Sequence, residues 1–137
     1  MKKEVPKFEV IVAAIILDSE KKKILIGKRK SGHGAKLLGW VFPGGRLSPG
    51  EDIDKALKKK VKLKTGYDVK NVGTFFSRTY EENPGVVSIS FLTTVFEGKE
   101  APGDDLEELK WVSVNKLNNY FKIPMHNKLR EFLEELV

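Results

Sequence analysis

A glycine pair, a breaker-free run and a closing glycine constrain this chain more than any other feature. Trp40-Val41-Phe42 reads as a short strand that enters Pro43-Gly44-Gly45. Arg46-Leu47-Ser48-Pro49-Gly50-Glu51 follows, and Asp52 to Thr65 then runs without Gly or Pro up to Gly66. The spacing predicts a helix over 52–65, closed by a glycine of the kind that ends helices. Glu51 at its start suits the positive end of the helix dipole. Pro43-Gly44-Gly45 predicts a tight turn at which backbone can approach a phosphate closely.

Placed on a helix at about 100° per residue, Ile53, Ala56, Leu57, Val61 and Leu63 form one apolar face. Lys55, Lys58, Lys59 and Lys62 lie opposite, where solvation explains them. Lys60 and Lys64 fall near the middle of the apolar face, one turn apart, and an unpaired buried ammonium is costly. Either they snorkel from the helix end, where cations suit the dipole, or this end of the face opens onto a polar pocket.

Around this segment the chain alternates strands and helices. Phe8 to Leu17 is a near-continuous apolar run that suits a buried central strand. Ile24 to Gly27 is a second strand, and Ser31 to Gly39 is a Gly-rich loop in which His33 reads as an exposed residue. Asp68 to Tyr80 and Val86 to Phe96 pair as a hairpin around Glu81-Glu82-Asn83-Pro84-Gly85. Lys110 to Val112 is a last strand, followed by helices over 114–118 and 125–136. The expectation is one domain over residues 1–137, an α/β sandwich with a mixed β-sheet. The acidic groups Glu81-Glu82, Glu97 with Glu100, Asp104-Asp105 and Glu107-Glu108 read as solvated loops.

With 25 basic and 19 acidic residues the net charge is +6, which favours anionic partners. There is no cysteine, so disulfides and thiolate sites are excluded. Phe8 to Leu17 is too short for a membrane span of about 20 residues. No secretory signal is visible, and the expectation is a cytoplasmic protein with no membrane partner.

The segment from Gly45 through Glu51 to Gly66 resembles the signature box of the Nudix hydrolases. Gly45, Glu51, Val61, Gly66 and Tyr67 fit the family pattern. Where that pattern has Arg-Glu and then Glu-Glu, this chain has Lys59-Lys60 and then Leu63-Lys64. The resemblance implies a Nudix-like α/β/α sandwich. Glu51 would be a structural carboxylate paired with Lys59, and magnesium would be the family's ion with its box ligands missing here. No metal ligand is assigned.

Within the family, Ile24 to Arg29, Val41 to Arg46, Asp104-Asp105 with Trp111, and His126 with Arg130 and Phe132 are similar to the GDP-mannose mannosyl hydrolase branch. By that resemblance Arg29 and Arg46 contact the diphosphate of a nucleotide sugar, and Gly44 and Gly45 lie beneath it. His126 is the general base. A histidine of the branch falls on Arg78, its remaining metal glutamate on Lys64, and a strand aspartate on Ala14. Lys64, with Lys60 and Arg78, would then supply the cation's charge. The alternatives for Arg29 and Arg46 are exposed surface arginines, and for His126 a plain helix-start residue.

Two functions follow. One is hydrolysis of a nucleoside diphosphate sugar, GDP-mannose-like, at a lysine-modified site. The other is a catalytically inactive nucleotide-binding or regulatory domain. Nucleic acid ranks last, because the Lys-rich helix carries no interleaved aromatic platform. A homodimer is the family's habit.

Overall fold

Strand β1 (Glu9–Asp18) is buried on both faces, and the rest of the molecule is layered around it. Successive side chains on a strand point to opposite sides. Val12, Ala14 and Ile16 therefore join one core cluster, while Ile15 joins the other. This is why the sequence shows an unbroken apolar run there instead of alternation. The computed structural model describes residues 7–30, 39–122 and 124–137.

On one flank β1 pairs in parallel with β6 (Val86–Gly98), which pairs antiparallel with β5 (Tyr67–Thr79). On the other flank β4 (Gly44–Leu47) runs antiparallel, setting Val10 against Leu47 and Ala13 against Gly44. At its far end β1 meets β2 (Lys23–Arg29) through Leu17 and Asp18. The strands β3 (Trp40–Val41) and β7 (Leu106–Ser113) pair with β2 on either side. The sheet is mixed, as the sequence predicts.

Helix α1 (Ile53–Thr65) covers one face, setting Leu57 and Val61 against Val12, Ala14, Ile16 and Phe91. A 3-10 helix (Val114–Asn119) and α2 (Asn127–Leu136) cover the other, setting Leu117, Leu129 and Leu133 against Ile15, Ile24 and Val112. The result is the expected α/β/α sandwich. No helix among the described residues is long and apolar enough to cross a membrane.

Three local expectations change. Gly44-Gly45 is strand rather than tight turn. A Cβ on Gly44 would lie 2.1 Å from the Val12 carbonyl oxygen, so only glycine lets β4 lie this close to β1. The last strand extends well beyond 110–112, because Leu106 and Leu109 pair with β2 across an otherwise acidic stretch. Ile53 and Leu63 are exposed, and the buried residues of α1 are Ala56, Leu57, Val61 and Thr65. Leu63 lies about 200° around the helix from Val61, so both cannot face the core. His33 and most of the Gly-rich loop lie outside the described residues.

Gly66 closes α1 as the sequence implies, and Asp52, read there as the first helical residue, is its N-cap. Asp52 accepts the Lys55 backbone N–H at 2.9 Å. Gly66 takes a left-handed conformation with φ of 81° and returns its N–H to the Lys62 carbonyl at 2.9 Å. A Cβ there would lie 2.1 Å from the Lys99 carbonyl oxygen, whereas one on Gly50 (φ 86°) would meet open space. Both substitutions to alanine carry the positive-φ penalty of about 1 kcal/mol. Gly66→Ala should lower the denaturant midpoint well beyond Gly50→Ala, and equal losses would contradict the packing described.

Candidate functional site

The first residues of β4, the last turns of α1 and the loop before β7 line a cleft of about 820 Å³. That volume suits a small-molecule ligand. Four cations line it: Arg29 from β2, Arg46 from β4, and Lys60 and Lys64 from α1. Glu9, Asp104, Asp105 and Asn83 line it too. Lys60 and Lys64 thus both line this cleft, beside apolar as well as charged residues.

Lys64 is largely enclosed, with 12% of its side chain exposed. Its Nζ donates to the Gly44 carbonyl at 2.5 Å. It stands 3.1 Å from Asp105 Oδ1 and 3.9 Å from Asp104 Oδ2. Asp105 Oδ2 is in turn 3.2 Å from Arg29 Nε, so one carboxylate joins two cations. The Asp104-Asp105 loop is bolted to the end of α1 by backbone: Ala101 N–H donates to Thr65, and Gly103 N–H to Lys64.

Burial pushes the Asp105 carboxyl up, but the Lys64 ammonium and then the Arg29 guanidinium outweigh it, holding it below the ordinary aspartate value. The Asp104-Asp105 pair, which reads as solvated loop in the sequence, is therefore part of the site. The sequence held one signal for it: a lysine centred on an apolar helix face needs a carboxylate from elsewhere, and a loop just before a strand can deliver one.

The other residues divide. Arg46 lines the cleft and pairs with Glu9. The Lys60 stem lies over Gly45, where a Cβ would come 3.3 Å from Lys60 Cδ. Among the described residues no carboxylate lies within 4 Å of Lys60, alone of the four cations. Glu51 accepts the Ser48 backbone N–H at 2.6 Å, and this bond first holds its carboxyl below the usual range. The ion pair with Lys59 does not form; the turn Ser48-Pro49-Gly50 folds Glu51 back onto its own backbone instead.

Two residues stand apart from the cleft. Arg78 is not among its lining residues; its guanidinium stacks 4.1 Å from the Tyr80 ring centre, and its Nε donates to the Thr79 carbonyl. His126 is the N-cap of α2, and its Nδ1 accepts the Lys128 backbone N–H at 3.0 Å. Its ring packs 5.3 Å from Phe76, on the side of the molecule covered by α2.

The NUDIX domain model matches residues 7–136. This chain belongs to the Nudix family. It is 32% identical to an ADP-ribose pyrophosphatase of Methanocaldococcus jannaschii over 69% of this chain and 57% of that protein. It is 28% identical to a candidate 8-oxo-dGTP diphosphatase of Bacillus subtilis over 77% of this chain and 67% of that one. It also resembles a MutT structure from a study of the Aliivibrio salmonicida and Vibrio cholerae proteins. There the TM-score is 0.74 and the identity 26%, covering 94% of this chain and 99% of that one. The match to the Methanocaldococcus protein thus spans little more than half of that relative's length.

The residues at the box end of α1 do not fit the magnesium ion that the Nudix box implies. The Lys64 ammonium already bonds the Gly44 carbonyl and faces both aspartates. Among the described residues no group of three or more His, Asp or Glu is placed to hold a metal.

Asp105 ties the site to acid stability. A depressed carboxyl contributes stability that is complete above the unfolded value near 3.9 and is lost as pH falls through the folded value. Asp105→Asn should cost about 1–3 kcal/mol at pH 7 by leaving Lys64 poorly paired. The gap from the unsubstituted protein should begin to narrow below about pH 4 and close as pH falls through the folded value. Urea titrations at several pH values measure it, and a pH-independent gap would contradict the ion pair.

Proposed function

We propose that the cleft holds a nucleoside diphosphate-linked small molecule, a nucleotide sugar of the GDP-mannose kind, and hydrolyses it slowly. The observation that carries this reading is Lys60, a cation with no carboxylate within 4 Å among the described residues, lying over Gly45 inside the cleft. A diphosphate over Gly44-Gly45 would meet Lys60 first, with Arg46 beside it once Glu9 yields. Guanidinium suits such a grip because its fork binds phosphate bidentately. Arg29 and Lys64 add positive charge behind these two, tempered by Asp105. The names of the two relatives, an ADP-ribose pyrophosphatase and a candidate 8-oxo-dGTP diphosphatase, both refer to phosphates linked in series to a nucleoside.

Hydrolysis asks for charge stabilisation and for a base. Lys60 and Lys64 supply charge to a leaving diphosphate, though less than a divalent ion would. The proposed base is His126. It would act through its Nε2 on a ligand that reaches toward the start of α2, since its Nδ1 is engaged with Lys128. That placement favours a second reading, a nucleotide-binding or regulatory domain without turnover. A cytoplasmic, homodimeric protein fits either.

A product assay over nucleotide sugars, ADP-ribose and nucleoside triphosphates, in magnesium and in EDTA, separates the readings. Turnover of a nucleotide sugar that survives EDTA and drops about a hundredfold in His126→Ala supports hydrolysis. Binding without product supports the second reading. In either case Lys60→Ala should weaken nucleotide affinity about tenfold with no loss of thermal stability. An unchanged affinity would remove the diphosphate from this cleft.

A further inference from the structure

We propose that the Lys64 ammonium is the resident cation of an oxygen cage that would otherwise take a divalent metal ion, and that it keeps such ions out. Three oxygens from two segments converge on its Nζ: the Gly44 carbonyl at 2.5 Å, Asp105 Oδ1 at 3.1 Å and Asp104 Oδ2 at 3.9 Å. One carbonyl and two carboxylates are the hard oxygen donors that magnesium, manganese and calcium prefer. An ammonium offers only donors, so it is the complement of the same cage.

The cage is held by backbone rather than by Lys64's own side chain. Gly44 is fixed by pairing with Ala13, so close to β1 that no side chain fits. Asp104 and Asp105 are fixed by Gly103 N–H donating to the Lys64 carbonyl, Leu106 N–H to Gly103 and Lys30 N–H to the Asp105 carbonyl at 2.8 Å. Asp104 adopts a left-handed φ of 52°, a conformation that aspartate tolerates better than most residues. None of these contacts depends on the lysine's charge. With the ammonium present, a divalent ion at the cage would stand within contact distance of a like charge. With the ammonium removed, two carboxylates and a carbonyl would remain, with Arg29 still paired to Asp105 Oδ2.

The test uses manganese alone, followed by the spin-resonance signal of the free ion and by thermal melts. Lys64→Met keeps the aliphatic stem and removes the charge. It should bind one Mn²⁺ at least about tenfold more tightly than the unsubstituted protein. Its melting temperature should rise with Mn²⁺ while that of the unsubstituted protein does not. Adding Asp105→Asn to Lys64→Met should abolish the gain. Lys64→Gln, which retains a donor for the Gly44 carbonyl, gives the same comparison if the methionine variant fails to fold. Equal Mn²⁺ affinity with and without the Lys64 charge would overturn the proposal, as would a gain that survives Asp105→Asn. No nucleotide enters the measurement, so its outcome is independent of whether the cleft binds or hydrolyses one.

Discussion

The contact between the Lys64 ammonium, the Gly44 carbonyl and the Asp105 carboxylate joins three segments that are distant in sequence. It links β4 and the end of α1 to the loop that leads to β7, whose backbone is fixed by its own hydrogen bonds. Arg29 extends it to β2 through the second oxygen of Asp105. A partly buried ion pair of this kind is costly to break from one side, because the remaining charge is left without a partner. The floor and back wall of the cleft are therefore set by one electrostatic knot.

The division of labour among the cations follows from it. Lys64 and Arg29 face inward and share a carboxylate, so they shape the pocket more than they present charge to a ligand. Lys60 and Arg46 are not tied to that carboxylate. Lys60 lies over glycine backbone, and Arg46 pairs with Glu9 but keeps 79% of its side chain exposed. Such an exposed pair is weak, so a polyanion can displace the carboxylate at little cost. The cleft thus has two cations fixed on Asp105 and two more that a ligand can engage.

Much of the fold was legible in the sequence because period and length carry it. The apolar run at Phe8 to Leu17 marked β1, the breaker-free stretch before Gly66 marked α1, and the alternating segments around Asn83-Pro84-Gly85 marked the hairpin. The glycine pair was misread as a turn, because the requirement for glycine comes from a neighbouring strand and not from local dihedral angles. The site was legible in half. Lys60 and Lys64 stood out as charges on an apolar face, and the branch resemblance gave Arg29 and Arg46, with Gly44 and Gly45, as diphosphate contacts. Asp105 was hidden, since acidic loops are mostly solvated and only tertiary structure reveals which one meets a buried lysine. His126 and Arg78 came from resemblance alone. In the structure one caps a helix and the other stacks on a tyrosine, neither lining the cleft.

The most direct test is a crystal structure of the protein with a nucleoside diphosphate in EDTA. Phosphate oxygens over Gly44-Gly45, within hydrogen-bond reach of the Lys60 ammonium and with Lys64 still on Asp105, are the result predicted. A nucleotide seated elsewhere on the molecule, or phosphates in this cleft that require a divalent ion to appear, would contradict the account.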